Sequence, residues 1–154
     1  MTALPNTHVK IKFSFFSDIL DEWTVETLWA ETVDAEKGWY KLDNIPFHAA
    51  AACGDIVLAE YDTTEEFLMY REIIEPSGNS TIQVVMMDKT IPVQEIRAQF
   101  EALGCASEGF GESYFVMEVL ATISYVSIRQ HLMALEAKGY IGYAEPHLAE
   151  NHWY

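Results

Sequence analysis

The sequence predicts an α+β fold. A small five-stranded antiparallel β-barrel-like meander is expected over residues 1–76, a ferredoxin-like βαββαβ unit over 77–145, and a loose C-terminal tail over 146–154. Three features predict this. Apolar and polar residues alternate through the first half. The run Pro76-Ser77-Gly78-Asn79-Ser80 punctuates the middle of the chain. Two later segments repeat at helical spacing, each set between strand-like runs.

Val9, Ile11, Phe13 and Phe15 alternate with Lys10, Lys12 and Ser14, which makes a strand with one face turned to a core. Residues 23–33 are rich in Trp, Val and Thr, types that suit a pleated surface. Asp34-Ala35-Glu36-Lys37-Gly38 turns the chain. Trp39–Leu42 returns as a third strand, and Asn44-Ile45-Pro46 ends it because proline cannot donate to a ladder. Residues 56–61 and 67–74 are the fourth and fifth strands, joined by a polar turn over 62–66. Five short strands with no helix between them point to a meander that curls into a small barrel.

Past the break, residues 81–87 form a strand. Residues 91–103 form a helix: Val93, Ile96, Phe100 and Leu103 share one stripe, Pro92 sits in the first turn, and Gly104 follows the end. Residues 105–108 and 114–120 flank a Gly109-Phe110-Gly111 turn and read as a hairpin. Ser124 is placed to cap a second helix, whose stripe is Tyr125, Ile128, Leu132 and Leu135 and whose end is marked by Gly139. Residues 140–145 close as the last strand. The order βαββαβ is that of the split βαβ plan.

The chain has 154 residues, half of them apolar and 13% aromatic, which is enough for one good core or two small ones and argues against disorder. No run reaches the roughly 18 apolar residues that a membrane helix needs. The opening MTALPNTHVK has no basic head followed by an apolar stretch, so no signal peptide is expected and the protein is placed in the cytoplasm. There, Cys53 and Cys105 read as reduced, packed thiols. Charge is the strongest compositional signal: nine Lys+Arg face 24 Asp+Glu, a net charge of −15. Residues 1–76 hold five basic and 15 acidic residues, and residues 77–154 hold four and nine. Few cations are available to displace phosphate counterions, so nucleic acid is disfavoured as a partner. Negative charge of this size suits solubility or a basic protein partner.

No residue set has the spacing of a catalytic or metal centre. His8, His48, His131, His147 and His152 include no pair at i, i+4, and no CxxC motif exists, so neither a metal nor a cofactor is expected. Cys53 follows His48 and four alanines, but no third, orienting group is apparent, and an inert packed thiol is the simpler expectation. Ser77-Gly78-Asn79-Ser80 could nest an anion, yet it leads into a strand where phosphate loops lead into a helix. Trp23, Trp29 and Trp39 are expected in the core, as aromatic residues in strands usually are. Asp21, Glu22, Glu65, Glu66, Glu72 and Glu75 are the candidate acidic contact surface, because so few cations exist to pair with them. Asp43, Asn44, His48, Asp55 and Asn79 are the candidate polar groups of a pocket at the junction of the two subdomains.

Four segments carry a family resemblance. Glu26-Thr27-Leu28-Trp29-Ala30-Glu31, Tyr40-Lys41-Leu42-Asp43-Asn44-Ile45-Pro46-Phe47, Gly54-Asp55-Ile56-Val57 and Ser77-Gly78-Asn79-Ser80-Thr81 resemble, in that order and spacing, the bacterial family DUF4265. The resemblance covers about residues 8–145. Gln83 stands where such proteins are expected to carry an arginine. Small acidic bacterial proteins of this kind look like immunity proteins, which block a toxin by direct binding. The resemblance therefore implies an immunity protein that occludes a basic toxin domain. An enzyme or small-ligand binder with its site at the junction is the alternative.

Overall fold

The computed structural model describes residues 8–17 and 21–154, Ser17 by its backbone alone. The opening segment read as lacking a leader lies, up to Thr7, outside the described residues. Strands β1 (His8–Ser17) and β2 (Glu22–Asp34) form a long antiparallel hairpin, from His8 opposite Glu31 to Ser17 opposite Glu22. Strand β3 (Trp39–Leu42) pairs with the end of β2, then β4 (Ile56–Asp62) with β3 and β5 (Phe67–Glu75) with β4, all antiparallel. Strand β5 also meets β1, Ile11 beside Leu68 and Lys12 beside Met69, and this pairing is parallel. The sheet thus closes on itself. An all-antiparallel meander omits this seam. Five strands that alternate in direction leave the first and last running the same way, so the seam that joins them has to be parallel.

Alternation decides which side chains fill this sheet. Ile11, Phe13, Leu28, Ala30, Leu42, Val57 and Ala59 are buried inside it. Phe13 stacks on Tyr70 with centroids 4.3 Å apart. Trp23 and Trp29, expected in the core, are exposed instead. Parity is the reason: Leu28 and Ala30 face inward, so the odd-numbered residues of β2 face out. Phe13 and Tyr40 are the largest buried side chains inside the five strands, and small and medium ones fill the rest.

The second half is a four-stranded sheet with two helices. Strands β6 (Ser80–Met86), β7 (Ala106–Phe110), β8 (Tyr114–Val119) and β9 (Ile141–His147) lie in the order β7-β8-β6-β9, each neighbouring pair antiparallel. Helices α1 (Val93–Ala102) and α2 (Tyr125–Ala137) bury Ile96, Phe100, Ile128 and Leu132 against Ile82, Val84, Phe115 and Met117. Ser124 caps α2, its hydroxyl accepting from the Val126 amide. The expected turn at Gly109–Gly111 moves to 111–113. Gly109 belongs to β7 because Arg97 crosses it: a Cβ there would lie 2.8 Å from Nη1. Gly111, at φ +70, makes the turn.

The last residues are not a loose tail. Strand β9 continues to His147, and a 3₁₀ turn (Glu150–His152) brings His152 into the interior. Its Nδ1 lies 2.6 Å from Ser80 Oγ and its Nε2 3.0 Å from the Ile123 carbonyl. A carbonyl only accepts, so in the neutral imidazole Nε2 donates to it. Ser80, already accepting from the Ala149 amide at 2.8 Å, then donates to Nδ1. Buried polar groups require partners, and this segment supplies them to Ser80 and Ile123.

Candidate functional site

The family-like segments converge on one place. The chain between β3 and β4, residues 43–55, lies across the face of the second sheet that the helices leave open. Thr81 Oγ1 donates to the Ala51 carbonyl at 2.8 Å. Gln83 Nε2 and the Tyr114 hydroxyl both donate to the Phe47 carbonyl, at 3.0 and 2.5 Å. Ala49, Ala51 and Ala52 are buried, and side chains this small let the segment lie flat against the strands. Three of the four alanines before Cys53 thus have a packing role.

Carboxylates hold the segment from the other side. Glu26, on β2, accepts the backbone amides of Phe47, His48 and Ala49 at 2.6, 3.0 and 2.8 Å. Asp55, fully buried, accepts Ala52 N at 3.0 Å and Ser77 N at 2.8 Å. Asn79 donates to the Cys53 carbonyl and to Glu118 Oε1, each at 3.0 Å, and accepts from the Ala121 amide at 2.9 Å. Gly54, at φ +89, turns the chain with its α-carbon against Ser77, where a Cβ would sit 3.1 Å from the serine Cβ.

Of the junction residues singled out from sequence, the structure brings Asp55 and Asn79 together with Cys53 and Ser77. Asn44 lies further along the segment and accepts the Trp29 amide at 2.7 Å. Asp43 is exposed, 3.3 Å from His8 Nε2. His48 is exposed and stacks on Tyr114 with ring centroids 6.0 Å apart. Glu26 and Tyr114 were not singled out. The one signal for Glu26 was its place at the head of the first family-like segment, and Tyr114 left none beyond its position in a strand. Gln83 supplies as a neutral amide the hydrogen bond to Phe47 that its position requires.

Titration at the junction follows burial. Burial raises the Glu118 carboxyl above its ordinary value. Burial first, then the Glu118 charge, pushes the Cys53 thiol up to about 11. Burial likewise raises Cys105 to about 11. Both thiols therefore stay protonated at neutral pH, the opposite of an activated nucleophile. Among the described residues, no group of three His, Cys, Asp or Glu side chains is arranged to hold a metal.

The acidic candidates do not form one face. Asp21 and Glu22 lie at the β1–β2 turn, with Asp21 at φ 52. Glu65 and Glu66 lie in the turn before β5, and Glu75 ends that strand. Nine residue steps along the strand take the chain from Glu66 to Glu75, roughly 30 Å at 3.3 Å per residue. Glu65 pairs with Lys12 at 3.7 Å, while Glu72 and Glu75 are exposed on β5. The same sheet also exposes large apolar side chains, with Thr27 and Glu31 set between them. Trp23, Val25, Trp29 and Val33 stand in a row on the outward side of β2, 72%, 57%, 44% and 48% exposed. Phe16, opposite Trp23, extends the row by an edge-on contact at 6.1 Å.

The family model for a domain of unknown function, DUF4265, matches residues 26–143. The chain belongs to the DUF4265 family. The matched span begins at Glu26, the carboxylate that pins residues 47–49, and includes the whole junction. Among solved structures, a crystal structure described as that of a hypothetical protein from Neisseria gonorrhoeae is similar, with TM-score 0.81 at 23% identity. The similarity covers 94% of this chain and 98% of that one, so the two share a fold over nearly their full lengths. No curated protein matches the chain.

Proposed function

We propose that this DUF4265 protein binds and occludes a basic protein partner, and that it is an immunity-type inhibitor of a toxin domain acting in the cytoplasm. The observation that carries the proposal is the exposed row Trp23, Val25, Trp29 and Val33, set in a chain of net charge −15. Large apolar side chains exposed together on one outer strand mark an interaction surface. Tryptophans are the side chains that interfaces use as anchors. The surrounding negative field steers a basic partner in, and salt screens that steering. Glu22 and Glu31 lie on the same strand, and Lys10 and Lys12 face Trp29 and Thr27 from β1, with Lys10 over the Trp29 ring at 5.0 Å. In the same reading the first sheet is a small barrel and residues 77–145 a ferredoxin-like subdomain. Closure of the first sheet and the strand order β7-β8-β6-β9 support that description.

Coexpression with the product of the neighbouring reading frame tests the proposal. The expected result is a product that arrests growth alone, is harmless beside this chain, and copurifies with it. Association should slow about tenfold between low and physiological salt. Trp23→Ala with Trp29→Ala should abolish protection while leaving the unfolding free energy within about 0.5 kcal/mol, as for exposed sites generally. A complex indifferent to both substitutions, or no complex at all, overturns the proposal.

A further inference from the structure

Between α2 and the C-terminal segment lies a cavity of about 360 Å³. Tyr125, Arg129, Asn151, Trp153 and Tyr154 are among the residues that line it. Tyr125 and Arg129 are four residues apart on α2, so both leave the helix on one face. The Arg129 guanidinium lies over the Tyr154 ring, 3.7 Å from its centroid. Its Nε is buried and has no hydrogen-bond partner.

Among the described residues Arg129 forms no ion pair, as is true of most of the chain's cations; what sets it apart is the buried Nε that donates to nothing. Glu145 bonds two tyrosines of the cavity wall and forms no ion pair with Arg129. Its Oε2 accepts the Tyr125 hydroxyl at 2.5 Å and its Oε1 the Tyr154 hydroxyl at 2.7 Å. A buried guanidinium N–H that donates to nothing is a standing cost, and an incoming acceptor removes it. The planar fork of arginine matches a carboxylate or a phosphate.

We propose that this cavity binds a small flat organic anion with one carboxylate or phosphate head. The head takes the Nε edge of Arg129, and the flat body lies against Tyr125 and Trp153. Tyr154 lies on the guanidinium face beside that edge and swings aside to admit the head. It is 72% exposed and is held by its phenol bond to Glu145 and its stack on the guanidinium. The volume is at the small end of ligand cavities, which run from about 300 to 1,000 Å³, and suits one ring with its head group.

Titration of the full chain with benzoate and with phenyl phosphate, followed by amide and arginine Nε resonances, tests this. Benzyl alcohol is the neutral control, and inorganic phosphate is the head group alone. The two aromatic anions should shift resonances of residues 124–129 and 151–154 together with Arg129 Nε. Benzyl alcohol should not, and inorganic phosphate should bind more weakly. Arg129→Gln should weaken binding at least about tenfold, the loss expected of one charge-assisted fork. Tyr154→Ala uncovers the guanidinium without removing it, so this variant should bind at least as well as the parent. Absence of shifts with either aromatic anion, equal binding by Arg129→Gln, or loss of binding in a folded Tyr154→Ala would overturn the proposal. Inorganic phosphate binding as tightly as phenyl phosphate would overturn the flat body.

Discussion

The two sheets solve the same problem in different ways. The second sheet buries one face under α1 and α2, with Phe100, Phe115, Ile128 and Leu132 fully enclosed, and the other under residues 43–55. The first sheet encloses its interior by curling, with alanines at 30, 49, 51 and 59 among its buried residues. Its largest side chains, Trp23 and Trp29, remain outside. Burial that comes from helix cover can absorb large residues. Burial that comes from curvature leaves less room, because the enclosed space is set by strand number, and Phe13 and Tyr40 are the largest side chains it takes in. The first sheet is therefore left with apolar surface to offer, and the second supplies the platform against which the first is held.

The difference can be broken at its strongest point by emptying the helix-covered core. Phe100→Ala should cost about 4 kcal/mol, in the range for a buried aromatic cut to alanine. Leu42→Ala, inside the first sheet, should cost about 3 kcal/mol, since a smaller side chain leaves a smaller cavity. Urea unfolding midpoints measure both, and a larger loss at Leu42 would reverse the ranking of the two cores.

The joint between the sheets comes next. Glu26 holds three backbone amides, so Glu26→Ala should cost about 2–3 kcal/mol through donors left without a partner. Amide exchange should quicken at residues 47–49 before it quickens in either sheet. Uniform acceleration across the chain would mean that the joint and the cores are one cooperative unit.

The smallest effect concerns pH. Burial keeps the Glu118 carboxyl protonated to a higher pH in the native state than in the unfolded chain. As pH rises through the ordinary glutamate value of about 4.3, the unfolded state loses its proton first, so this group's contribution to stability falls. Glu118→Gln keeps an acceptor for Asn79 and has no proton to lose. Its stability relative to the parent should rise from below that value toward neutral pH, as followed by thermal unfolding at a series of pH values. A constant difference would show that Glu118 titrates alike in both states.

Much of the fold was legible in local pattern. Alternation in residues 9–15, the break at 76–80, the Ser124 cap and the helical stripes of α1 and α2 are short-range signals, and they placed their elements within a residue or two. The junction was legible only as a set of polar residues. Asp55 and Asn79 were on that list and Glu26 was not, because a carboxylate that accepts amides 21 to 23 residues away leaves no local mark. His152 failed as a sequence signal for the same reason: its partner Ser80 is 72 residues away.

By itself the sequence determined the element order, the negative charge and the want of a spaced catalytic or metal motif, since each depends on composition or on neighbours a few residues apart. Only the tertiary structure decided which side of β2 faces out, that the first sheet closes by a parallel seam, that residues 43–55 join the two sheets, and that the chain end packs down, with His152 in the interior and Tyr154 on Arg129. Those outcomes depend on parity, curvature and hydrogen bonds between distant segments, quantities that exist once the chain has closed on itself.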